Sequence, residues 1–87
     1  RLGFVNEVVS PAELQDAARR WADQILQCSP MSVRASKQTA YAGLDEPSLQ
    51  TASQRQRQYP AAAAMLASED LIEGPLAFSQ KRAPQWK

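Results

Sequence analysis

The 87-residue chain contains no histidine, which removes the commonest metal ligand and the commonest general base at neutral pH. It has one cysteine, Cys28, so an internal disulfide framework is excluded, and nothing near Cys28 would activate its thiolate, so a small, at least partly buried side chain is expected there. Long apolar runs are missing too. The longest, residues 61–67, is seven residues, where a membrane span needs about 20. No signal-peptide pattern opens the chain. These absences point to a reduced, soluble, cytoplasmic setting. The net charge of +1 gives no overall field for nucleic acid or an anionic membrane. The basic residues are dispersed, and no helix carries the clustered Arg and Lys of a recognition helix.

Glycine is also scarce. Gly3, Gly43 and Gly74 are isolated, so no glycine-rich loop can aim two backbone N–H groups at one developing negative charge. The length fits one small domain, whose core must be thin. No catalytic residue and no metal ligand set is identified.

What is present is helical. Residues 2–9 are β-branched and aromatic but interrupted by Gly3 and Asn6, which reads as an extended segment. No later run resembles a second strand, so this segment is either irregular or paired with a sheet outside the chain. Ser10, Pro11 and Glu13 form a capping box with proline at the first helical position, and Val9 and Leu14 suit a hydrophobic staple. Leu14, Ala17, Ala18, Trp21, Ala22, Ile25 and Leu26 then make one apolar face of a helix expected to reach about Cys28. Ser29 and Pro30 start a second helix with Val33, Lys37, Ala40, Tyr41 and Leu44 along one side and Gly43 as its stop. Arg34 and Lys37 on that helix make a solvated basic face or, less simply, an anion contact. A third helix is expected over 47–67, with Pro60 kinking it or splitting it after Tyr59.

The tail, residues 68–87, reads as two short helical turns. Ser68 caps the first, which Gly74 stops; Pro75 starts the second, and Pro84 prevents its continuation. Glu69, Asp70 and Glu73 suit capping and helix-dipole positions there rather than acid/base chemistry. Phe78 and Lys81 are three apart, so a ring and a cation share one side of the second turn. Such a pair can stack on a base and meet a phosphate, but spacing alone favours the plainer reading, with Phe78 in the core and Lys81 a solvated neighbour.

Taken in order, Ser68, Asp70, Glu73-Gly74, Ala77-Phe78, Lys81-Arg82, Pro84 and Trp86 resemble the C-terminal signature of the enoyl-CoA hydratase/isomerase (crotonase) superfamily. Upstream, the segment Gly3-Phe4-Val5-Asn6-Glu7-Val8-Val9, then Leu14, Ser29-Pro30, Val33-Arg34 and Lys37 fall where that family carries similar residues. Pro60 and Pro75 depart from its commoner pattern. The resemblance implies an all-α C-terminal domain: a small bundle of three main helices plus short C-terminal turns, over 10–87, with residues 1–9 leading from an N-terminal catalytic domain outside the chain. It implies an oligomer, a trimer or hexamer, whose C-terminal helices cover an acyl-CoA site. It places Phe78 near the CoA adenine and Lys81 near its 3′-phosphate, often across a subunit boundary. Coenzyme A enters as part of the thioester substrate, and no further cofactor is implied. The parent would be a hydratase or isomerase working through an enolate-like intermediate, and this chain alone would not turn substrate over. A free-standing helical module that binds a protein partner is the competing reading.

Overall fold

The computed structural model describes residues 2–87. Among them the regular structure is entirely helical: α1 (Leu14–Leu26), entered through a 3₁₀ turn at Pro11–Glu13; α2 (Pro30–Leu44); α3 (Leu49–Arg55), ending in a 3₁₀ turn at Gln56–Gln58; α4 (Pro60–Leu66); and α5 (Asp70–Ser79). Residues 2–9 form no strand and run as an irregular extended segment.

The helix starts follow the serine–proline punctuation. At the first, the Ser10 N–H donates to Glu13 Oε2 at 3.3 Å and the Ser10 hydroxyl contacts the same carboxylate. Ser29 Oγ accepts from the Ser32 N–H, and Ser48 Oγ accepts from the Thr51 N–H at 3.1 Å. Each side-chain oxygen satisfies a backbone donor that the first turn leaves without a partner. Val9 is partly covered and lines one hollow with Leu14 and Trp21.

Pro60 divides the element expected over 47–67. The residue before a proline is driven out of the helical region, and Tyr59 is extended at φ −65°, ψ 138°. Of the two outcomes expected at Pro60, the split after Tyr59 is the one observed. Tyr59 supplies no side-chain cap to α4, and α2 fills the gap: Gln38 Oε1 accepts the Ala61 N–H at 2.7 Å. Ser32 Oγ meets Met65 Sδ at 3.5 Å further along, so the two helices run antiparallel. Ala35 and Ala62 are buried between them, and small side chains there let the axes approach.

Several expectations fail on packing. The buried side of α2 carries Ala35, with Ser32, Gln38 and Thr39 partly covered. Of the face expected from spacing, Val33 is partly covered, but Lys37, Ala40, Tyr41 at 68% and Leu44 at 82% are exposed. Alanine and hydroxyl side chains win the contact because α4 opposes them with its own alanines. Gly43 does not stop α2, which continues through Leu44 to Asp45 in a right-handed conformation. Helix α1 ends at Leu26, and Cys28 lies exposed in the turn beyond it rather than buried. Arg34 and Lys37 stay exposed.

The tail is one helix, not two turns. Pro75 sits inside α5, and Gly74 is a helical interior residue. Ser68 does not cap it; its hydroxyl donates back to the Met65 carbonyl at 2.7 Å. A proline here removes one backbone bond and crowds the preceding turn. Contacts from residues 82–87 to positions on the N-terminal side of Pro75 hold the helix together across it, as described below.

Among the described residues the buried apolar ones are four alanines, Ala17, Ala35, Ala62 and Ala77, and no large side chain is fully buried. Sixteen large apolar residues are exposed, among them Leu14 at 58% and Ile25 at 54% on the apolar face of α1. The radius of gyration is 16.4 Å, against about 12 Å for a compact chain of this length. The accessible surface is 7473 Å², about half as much again as a compact globule of 9.6 kDa exposes. The molecule is a plate of 43 × 40 × 19 Å with its apolar faces uncovered. No helix among the described residues is long and apolar enough to cross a membrane.

Two measurements follow. Gln38→Leu leaves the Ala61 N–H unpaired and is expected to lower stability by about 1–2 kcal/mol, whereas Leu49→Ala, at a site 84% exposed, should change it by less than about 0.5 kcal/mol. Denaturant titration of both variants checks the contrast; equal effects would remove Gln38 as the α4 cap. The 87-residue chain on its own is also expected to self-associate, and sedimentation showing monomer alone at high concentration would contradict that.

Candidate functional site

The C-terminal end of α5 and the segment after it are densely tied by hydrogen bonds and ion pairs. Past Ser79 the chain closes the helix in a Schellman turn. The Arg82 N–H donates to the Ala77 carbonyl at 3.1 Å and the Lys81 N–H to the Phe78 carbonyl at 3.2 Å. Lys81 takes the left-handed position of that turn, with φ +53°. Glycine normally fills it, because a side chain there costs about 1 kcal/mol.

From Arg82 onward the chain doubles back along α5 as a strap. Glu73 is its first anchor. Arg82 Nη1 and Nη2 donate to Glu73 Oε1 and Oε2 at 2.6 and 3.0 Å, a two-pronged pair, and the Gln85 N–H donates to Oε1 at 2.7 Å. Trp86 is the second. Its indole lies against Gly74, where a Cβ would come within 3.4 Å of Trp86 Cη2, and its Nε1–H donates to the Gln27 carbonyl at the end of α1 at 3.0 Å. A Cβ there would meet the ring at ordinary contact distance, so the approach does not itself demand glycine. Asp70, 6% exposed, is the third anchor: Oδ1 accepts the Lys87 N–H at 3.0 Å and Oδ2 accepts the buried Ser29 hydroxyl at 2.7 Å. Lys87 Nζ also pairs with Glu69.

The three tail carboxylates are therefore strap anchors, and the capping reading of Asp70 and Glu73 is replaced by this one. The Glu73 carboxyl is lowered to about 2, chiefly by the Arg82 guanidinium and then by the Gln85 N–H. A carboxylate held this way stays ionised and accepts hydrogen bonds; it does not shuttle protons near neutrality.

Phe78 and Lys81 are brought to one end of α5, but Lys81 lies just past the helix rather than on its side. Phe78 is 87% exposed, so it is not a core residue. Lys81 is exposed and makes no ion pair among the described residues, in contrast to its neighbour Arg82. The pair offers an uncovered ring and an uncommitted ammonium at a hydrogen-bonded turn. No group of three His, Cys, Asp or Glu side chains among the described residues could hold a metal ion. A hollow of about 570 Å³ lies between α2 and α4 along Ala35, Thr39, Ala62 and Met65, and neither Phe78 nor Lys81 lines it.

Spacing did not single out Asp70, Arg82 or Trp86 as a unit with Ser29. One signal existed. Three acidic residues at 69, 70 and 73 face three basic ones at 81, 82 and 87 across a chain-reversing segment with Pro84.

Comparison with known proteins agrees with the resemblance in the motifs. The enoyl-CoA hydratase/isomerase family model matches residues 1–87. The chain is 46% identical to a carnitinyl-CoA dehydratase of Salmonella arizonae and 44% identical to one of Proteus mirabilis, in each case over all of this chain and 34% of the relative. It is 43% identical to the carnitinyl-CoA dehydratase of Escherichia coli K12. A crystal structure of an enoyl-CoA hydratase/isomerase from Mycobacterium paratuberculosis superposes with a TM-score of 0.87 at 32% identity, over 98% of this chain and 32% of that one. The chain spans about a third of the length of the relatives it matches.

The strap carries a pH signature. Because its anchor Glu73 is held below its ordinary value, its stabilising contribution is complete above about pH 4.5 and is lost as pH falls towards 2. In a Trp21→Phe background, Trp86 emission is expected to hold steady from about pH 7 to about pH 5 and to shift to the red below that. A shift already complete above about pH 5 would contradict Glu73 as the anchor.

Proposed function

The chain belongs to the enoyl-CoA hydratase/isomerase family, and on that premise we propose that it forms the C-terminal helical part of an enzyme acting on acyl-CoA thioesters. Its task there is to hold the nucleotide end of CoA and to provide contacts between subunits. The observation that carries this reading is the pairing of an 87% exposed Phe78 with an unpaired Lys81 at one hydrogen-bonded turn. An aromatic ring left in water and a cation left without a carboxylate are the two groups a purine with a phosphate would use. Lys81 then meets the 3′-phosphate as a point charge, and Phe78 offers its face to the adenine.

The uncovered faces support a covering partner. Leu14, Trp21 and Ile25 on α1, together with Phe4 and Val8 before it, need apolar surface to pack on. A catalytic domain from the same chain and the neighbouring subunit of a trimer or hexamer would provide it. Within that assembly the oxyanion-binding N–H groups and the acid/base residues belong to the other domain, so this chain alone is expected to be inactive towards acyl-CoA. The carnitinyl-CoA dehydratases at 43–46% identity favour a dehydratase-type reaction. The same uncovered faces would also suit a free-standing interaction module. The coding sequence before Arg1 separates the two: glycine-rich ββα repeats there support the enzyme, and a stop codon or an unrelated domain sinks it.

In the complete enzyme, Phe78→Ala should raise the KM for a CoA ester by about 5-fold or more, as loss of one base stack does, and Lys81→Ala by about 3–10-fold, with kcat changed little in both. Steady-state kinetics decides. Unchanged KM values would leave Phe78 and Lys81 as solvent-exposed bystanders.

A further inference from the structure

The strap divides the labour of the adjacent cations Lys81 and Arg82, and we propose that Glu73 and Arg82 are positioning residues that hold Lys81 in place for the nucleotide end of the thioester. The proposal rests on the reading of Lys81 given above and extends it to residues that touch no substrate.

Both cations could serve a phosphate by charge alone. Geometry separates them. Both guanidinium nitrogens Nη1 and Nη2 of Arg82 are spent on Glu73, its Nε–H donates to Gln80 Oε1 at 2.7 Å, and Nη1 also reaches the Ala83 carbonyl at 3.2 Å. Arg82 has little left to give a ligand. Lys81, one residue earlier, has no side-chain partner among the described residues and sits at φ +53°, a conformation that a lysine leaves readily when unrestrained. Beyond the turn's own backbone hydrogen bonds to Phe78 and Ala77, what restrains it is the side chain of the residue that follows. Arg82 is pulled back onto Glu73, which lies within α5, so the chain has to reverse at Lys81. Gln85 on the same carboxylate, Trp86 on Gly74 and Lys87 on Asp70 then fix the remainder of the strap. Releasing the Glu73–Arg82 pair frees the residue beside Lys81 first. Lys81 keeps its charge but loses its fixed direction relative to Phe78.

The test uses the complete enzyme and two substrates: an acyl-CoA, and the same acyl group on pantetheine, which lacks the nucleotide. Glu73→Gln is expected to raise the KM for the CoA ester about 3–10-fold while leaving kcat and both constants for the pantetheine ester unchanged, a split that general loss of stability would not produce. The exchanged pair Glu73→Arg with Arg82→Glu should restore the larger part of the loss. Should Glu73→Gln fold poorly, Arg82→Lys keeps the charge, removes the two-pronged geometry, and should affect the CoA ester alone. An unaffected CoA ester in Glu73→Gln or Arg82→Lys, with Lys81→Ala still raising KM, overturns the proposal and leaves the reading of Lys81 intact. Equal effects on both esters also overturn it. If Lys81→Ala itself leaves KM unchanged, the nucleotide reading fails and this proposal with it.

Discussion

A buried carboxylate organises this molecule. Asp70 is among the least exposed residues of a chain that buries almost nothing large. It accepts the Ser29 hydroxyl from the start of α2 and the Lys87 N–H from the end of the strap. Through Ser29 the contact also reaches the first turn of α2, because the same hydroxyl oxygen takes the Ser32 N–H. A carboxylate taken out of water is costly unless its lone pairs are satisfied, and this one is satisfied by groups from two distant parts of the chain. Loss of either partner would loosen the junction between α2, α5 and the C-terminus together.

The rest of the architecture follows from how little apolar surface the chain can cover. Alanines form the whole apolar core, so helices approach closely but gain little from burial; Leu, Ile, Phe and Trp side chains remain at the surface. Polar ties compensate at particular joints. Gln38 caps α4 from α2, Glu46 takes Arg55 at 3.0 Å and Tyr59 at 3.1 Å across the loop, and Glu7 holds the N-terminal segment to Trp21 and Arg20 on α1. The Glu7 carboxyl is lowered by these bonds, the Trp21 N–H first. Such ties set direction more than they supply stability, since pairs near the surface contribute modestly. A plate held this way fits a part whose faces are completed by further protein.

Much of this was legible in the residues. Ser10, Ser29 and the prolines after them placed two helix starts because capping is local chemistry, decided within four residues. Pro60 announced the break at Tyr59 for the same reason. The failures were long-range. The covered side of α2 could not be found from its own periodicity, because α4 brings alanines to Ala35 and leaves Tyr41 and Leu44 outside. Pro75 and Gly74 read as punctuation until the strap appeared; a helix crosses them because Glu73 and Gly74 bind residues nine and twelve positions later. Phe78 and Lys81 were identified from spacing and family likeness, and the structure adds that both are unpartnered. The anchors Asp70, Arg82 and Trp86 were visible only as motif letters, since their partners lie up to 59 residues away.

The central claim is that the turn bearing Phe78 and Lys81 is a receptor for the nucleotide end of a thioester, held ready by the strap behind it. A crystal structure of the complete enzyme with an acyl-CoA bound tests it most directly. The adenine is expected against the Phe78 ring, with a phosphate oxygen within about 4 Å of Lys81 Nζ and Arg82 still on Glu73. A nucleotide seated elsewhere, with Phe78 facing solvent or packed inside a protein interface, would contradict it.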